Sequence, residues 1–147
     1  MNRWIERLGA FIIATLVTTT LVSLAHSWFV QEALIAIGAD MPWGLRGATA
    51  GRDLVGLLPT LGPIIMGSLL IAFLIAAWLK PRVRAFGFLA YPLAGWAAVT
   101  LALLVMRLAF GLSPLAGART GAGFLAMSLG GLLGGLAFAA LLPRRRA

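Results

Sequence analysis

Cysteine is absent from the 147 residues and histidine occurs once, as His26. Without cysteine there is no disulfide, no thiolate metal site and no cysteine nucleophile, and a single histidine excludes bis-histidine haem ligation within one chain. Acidic residues are also scarce: four Asp and Glu stand against twelve Lys and Arg, for a formal net charge of +8. No carboxylate lies deep in an apolar stretch, which disfavours a proton-coupled carrier of the usual kind. Ser23 and Ser27 flank His26 on the same helix, but neither has a third group to complete a nucleophile relay. No catalytic residue, metal site or cofactor is therefore expected, and an enzyme is the least favoured class. Basic residues are not interleaved with aromatics in patches. The positive balance reads as membrane orientation and contact with anionic lipid, with no nucleic-acid partner.

What is present is apolar. Hydrophobic residues make up 61% of the chain and charged residues 11%, and the mean hydropathy is +1.00, values outside the range of a soluble domain. Four long apolar stretches follow one another: about 8–30, 54–79, 86–110 and 121–142. Each is long enough, at about 1.5 Å of rise per residue, to cross a hydrocarbon core of about 30 Å. None shows the strict alternation of a barrel strand. The expected fold is all-α: one transmembrane domain over residues 1–147, an integral membrane four-helix bundle with an outer loop at 31–53. Within that loop, Ala33, Leu34, Ile35 and Ile37 suit a short interfacial helix ended by glycines and Pro42. A rival reading takes MNRWIER, LGAFIIATLV and SLA as the three regions of a signal peptide cleaved after Ala25. The apolar stretch from Leu8 exceeds the usual h-region of about 7–15 residues, which favours a retained first helix.

Charge sets the orientation. Arg3, Arg7, Lys80, Arg82, Arg84, Arg144, Arg145 and Arg146 gather at one set of helix ends with Glu6, whereas Arg46, Arg52, Arg107 and Arg119 share the other with Glu32, Asp40 and Asp53. The positive-inside rule then places both termini in the cytoplasm of a bacterial inner membrane. A faint echo between GATAGR at Gly47 and GARTGA at Gly117 hints at a duplicated hairpin.

Three features stand out as candidate functional surfaces. In the fourth helix, Ala122, Ala126, Gly130 and Gly134 recur every four residues, and Gly131 and Gly135 lie beside them, a smooth surface for close helix packing. In the first helix, Thr15, Thr19 and Ser23 form a polar strip leading to His26, widened by Thr18, Thr20 and Ser27. At the outer end, His26, Arg46, Arg52, Asp53, Arg107 and Arg119 would meet at one mouth if the helices bundle, a setting in which guanidinium forks bind an anion or a polar headgroup. Pro59, Pro63 and Pro92 are expected to bend helices 2 and 3. Two function classes follow. The first is a non-enzymatic subunit that self-associates or docks on a partner membrane protein through the fourth helix. The second is a small channel or carrier for an anion or amphiphile, using the polar strip and the arginine mouth.

Overall fold

Runs of Leu, Ile, Val, Ala and Phe leave the backbone no polar partner but itself in lipid, so each becomes a helix. The computed structural model describes residues 3–83, 87–111 and 115–142. Among them are four long helices and no strand: α1 (Arg3–Ala36), α2 (Trp43–Leu79), α3 (Ala90–Phe110) and α4 (Gly121–Leu141), with a short 3-10 turn at Ala116–Arg119. All four are long and apolar enough to cross a membrane. Each packs on its neighbours in sequence, and α1 closes the ring against α4. The cross-contacts run in opposite order on each adjoining pair, so the helices alternate up and down. The starts of α1 and α3 and the ends of α2 and α4 thus lie together at what we term the basic end, marked by Arg3, Arg7, Lys80 and Arg82. Arg84 and Arg144, Arg145 and Arg146 lie outside the described residues.

Two boundaries depart from expectation. The loop expected at 31–53 shrinks to residues 37–42, because α1 continues through Ala33, Leu34 and Ile35, and α2 begins at Trp43 directly after Pro42. Hydropathy fades at Val30 and rises again at Leu54, but helix propensity does not stop there, and proline is well suited to the edge of a helix start. With 34 and 37 residues, α1 and α2 are about 51 and 56 Å long, against about 32 Å for the 21-residue α3 and α4. The first hairpin therefore extends well past a hydrocarbon core of about 30 Å at the end away from the basic residues. Pro59 and Pro63 sit inside α2 without ending it; they remove the N–H donors that the carbonyls of Val55 and Pro59 would otherwise use. The GATAGR and GARTGA segments have unlike structures, the first inside α2 and the second in the 3-10 turn and the start of α4. Local signals end the shorter helices. Gly111, with φ 68°, terminates α3 in the left-handed conformation, and the Thr120 hydroxyl caps α4 by accepting from the Gly123 N–H at 3.1 Å.

The basic end is held by one aromatic ring from each helix. Phe73 of α2 stacks on Phe138 of α4 with centroids 4.4 Å apart and meets Tyr91 of α3 edge-on at 5.8 Å. Tyr91 also meets Phe138 at 5.0 Å, and Phe11 of α1 meets Phe73 at 6.3 Å. Offset and edge-to-face pairs of this kind contribute about 0.5–1.5 kcal/mol each beyond the area they bury.

The remaining closure comes from glycine. On α4, a Cβ at Gly130 would lie 3.2 Å from Leu21 of α1, and one at Gly134 would overlap the Thr18 hydroxyl. One residue further round the helix, a Cβ at Gly131 would lie 2.3 Å from the Gly95 carbonyl oxygen of α3, and one at Gly135 would lie 2.8 Å from Cα of Pro92. The two small-residue ladders therefore serve two different helices of the same chain. Toward the start of α4 they loosen: Ala126 is half-buried and Ala122 exposed.

Candidate functional site

The polar strip is longer and more regular than Thr15, Thr19 and Ser23 alone. Thr15, Thr19, Ser23, Ser27 and Gln31 recur at every fourth position of α1, and all five are buried. Gln31, one more step along the same face, joins the strip to α2. Its Nε2 donates to Ser27 Oγ at 2.9 Å and to the Arg46 carbonyl at 3.1 Å, while its Oε1 accepts from Arg46 Nε at 3.1 Å. Arg46 also pairs with Glu32. Its guanidinium lies between two indoles, 4.6 Å from the Trp28 centroid and 4.9 Å from that of Trp43. A planar cation sandwiched by aromatics and forked onto an amide is a strut between helices. With a side chain only 12% exposed, it is not a free anion receptor.

The rest of the expected mouth is joined by no hydrogen bond or ion pair among the described residues. Arg52, Arg107 and Arg119 are exposed, and none makes a hydrogen bond or ion pair among the described residues. Arg52 and Asp53 lie in the third turn of α2 instead of at its entrance, a direct result of the earlier start of that helix. His26 is half-buried and accepts from the Gly117 N–H through Nδ1 at 3.3 Å, so in this arrangement its ring proton sits on Nε2. The 3-10 turn presses closely on α1 here, since a Cβ at Gly117 would lie 2.7 Å from the His26 Cα. His26 thus anchors the turn before α4. The glycine surface of α4, which from sequence suits packing in the same bundle or against a second molecule, is covered by α1 and α3; the leucines that α4 exposes include Leu125, Leu129, Leu133 and Leu136.

A different surface remains open. Between α2 and α3 runs a groove of about 600 Å³. Ile64, Ile71 and Ile75 form one wall, and the alanines of α3, among them Ala94 and Ala97, form its floor. Small side chains there keep the two helices from filling the space between them. The one hydroxyl in the lining, Ser68, donates to the Ile64 carbonyl at 2.8 Å and so offers the groove no free proton. At the basic end the groove reaches Lys80, whose Nζ lies 5.1 Å from the Tyr91 ring centroid. Lys80 is exposed and makes no ion pair among the described residues. The sequence signal for this groove is the alanine spacing at positions 90, 94, 97, 98 and 102, which reads as plain apolar helix until a neighbour is placed beside it.

The arrangement is an apolar slot open to the side with a cation, Lys80, at one end. Among the described residues no cluster of His, Asp or Glu is placed to hold a metal. Comparison with protein-family models, with curated proteins and with solved structures finds no match to this chain.

Proposed function

We propose that this chain is a non-enzymatic, multi-pass membrane protein that holds an anionic phospholipid, with one acyl chain in the α2–α3 groove and the phosphate at Lys80. The observation that carries the reading is the pairing of a laterally open apolar groove with a lysine at its end. From Ile64 to Leu79 the α2 wall runs about 22 Å along the axis, longer than one leaflet of a hydrocarbon core about 30 Å thick. An acyl chain entering from the basic side would be covered along most of its length. Lys80 supplies the charge complement, and Arg82 follows one residue past Pro81 on the same side. Cationic residues at helix ends are the usual partners of phosphate headgroups.

The charge asymmetry supports placing this end, with both termini, on the cytoplasmic face of a bacterial inner membrane. An amphiphile carrier keeps part of the expectation drawn from sequence, but moves its binding surface from the arginine mouth to the opposite end of the bundle. A subunit role, through self-association or a partner membrane protein, would now require a face other than the glycines of α4.

Native mass spectrometry of the full chain, released gently from its own membrane, tests the proposal. The expected result is one anionic phospholipid retained per chain, lost from Lys80→Gln and from Ala97→Phe, which fills the groove, with the helical signal of both variants intact. Retention of neutral and anionic lipids alike in Lys80→Gln would overturn it, as would stoichiometric recovery of a second protein displaced by Ala97→Phe.

A further inference from the structure

Hydroxyls in apolar helices usually donate to a carbonyl one turn back, and this chain follows the habit closely. Thr15, Thr18, Ser68, Thr100 and Ser128 each donate to the carbonyl four residues before, and Thr60 to the one three before, at 2.8–3.0 Å. Of the hydroxyls that do not, two are buried with no partner of any kind. Thr19 and Ser23 are each 1% exposed, and neither Thr19 Oγ1 nor Ser23 Oγ has a hydrogen-bond partner. A buried hydroxyl left without a partner is costly, and internal water is what commonly satisfies such groups in folded proteins.

We infer that Thr19 and Ser23 hold internal water in the middle of the bundle, a site independent of the lipid groove. Their positions fit a bridge. Residues four apart on one helix face have Cβ atoms about 5–6 Å apart, a gap that one water spans with two hydrogen bonds of about 2.8 Å. The neighbours on the strip confine the site to this pair: the Thr15 hydroxyl is already committed to the Phe11 carbonyl, and Ser27 accepts from Gln31. On the side toward the basic end, the rings of Phe11, Phe73, Tyr91 and Phe138 close the bundle. On the other side Ser27 and Gln31 are bonded to each other and Gln31 to Arg46, which closes the strip there as well. The water is therefore an isolated internal one, held between the aromatic rings on one side and the Ser27–Gln31 hydrogen bond on the other, and not part of a conduction route through the bundle.

Solid-state NMR of the full chain in lipid bilayers, with magnetisation transferred from water protons, reads this directly. Thr18 and Ser128 are fully buried with carbonyl-bonded hydroxyls and serve as dry references within the same spectrum. The expected result is signal growth at Thr19 and Ser23 several-fold faster than at those two. Growth as slow as at Thr18 and Ser128 would overturn the inference, and would mean that both hydroxyls turn to the carbonyls of Thr15 and Thr19. A second readout does not depend on assigning those signals: in the double variant Thr19→Val, Ser23→Ala, a hydrated site predicts an unchanged or lowered Tm. A raised Tm would show that the hydroxyls were dry and unsatisfied, and would also overturn it.

Discussion

Replacing Gly131 by alanine probes a close backbone contact between α3 and α4. The new Cβ would stand 2.3 Å from the Gly95 carbonyl oxygen, 2.6 Å from Val99 Cγ2 and 3.0 Å from the Gly95 carbonyl carbon, where ordinary contact begins at 3.4 Å. The approach is reciprocal, since a Cβ on Gly95 would lie 2.2 Å from the Gly131 oxygen. Val99 can change rotamer, but a backbone carbonyl cannot, so α3 and α4 must separate by roughly 1 Å along that line and loosen the dispersion contacts on either side. Overpacking of a tightly packed site costs about 1–3 kcal/mol, and a backbone obstruction places Gly131→Ala at about 2–3. Against this, alanine is the better helix former by about 1 kcal/mol. Gly67→Ala in α2 isolates the two effects, because a Cβ there meets nothing within 4 Å. Reversible unfolding in mixed micelles, comparing the two variants, cancels the propensity gain and leaves the packing loss of about 2–3 kcal/mol. Equal stabilities for Gly131→Ala and Gly67→Ala would refute the argument. So would a change in subunit stoichiometry with no loss of stability, because the ladder would then face another molecule.

Phe73 touches rings from all three other helices, so Phe73→Ala should lower stability by about 3–5 kcal/mol in the same unfolding assay, with Phe73→Leu recovering a large part. The Arg46–Gln31 strut predicts a coupling energy of about 0.5–3 kcal/mol in a double-mutant cycle of Arg46→Met and Gln31→Leu. Additive effects would mean that the two residues act separately.

The central parts of all four helices were legible because about 20 consecutive apolar residues have few alternatives in a chain of this composition. Their ends were not. Between Val30 and Leu54 the hydropathy signal fades while helix formation continues, so a helical hairpin reads as a loop. The glycines of α4 announced close packing, and the one-residue offset between Gly130 and Gly131 turns them about 100° apart, onto two flanks. Which helix each flank meets depends on chain closure, to which no local pattern refers; both turned out to be α1 and α3 of the same molecule. The arginines at the outer end pose a related problem. Placing Arg52, Arg107 and Arg119 at one end of a bundle says nothing about the partners each finds, and all three are exposed with none among the described residues. Gln31 was the most recoverable omission, since it extends the spacing of Thr15, Thr19, Ser23 and Ser27 by one more step. The groove was the least recoverable, because an absence of side-chain volume appears only once two helices stand side by side.

The most direct measurement of the central claim is an electron cryomicroscopy map of the full chain in discs of its native membrane. The account predicts continuous acyl-chain density between α2 and α3, running from beside Ile64 to Lys80 and ending in a phosphate within hydrogen-bond distance of the lysine Nζ. A groove filled by a helix of another protein or of a second copy, or one with density no stronger than that of the surrounding bulk lipid, would contradict it.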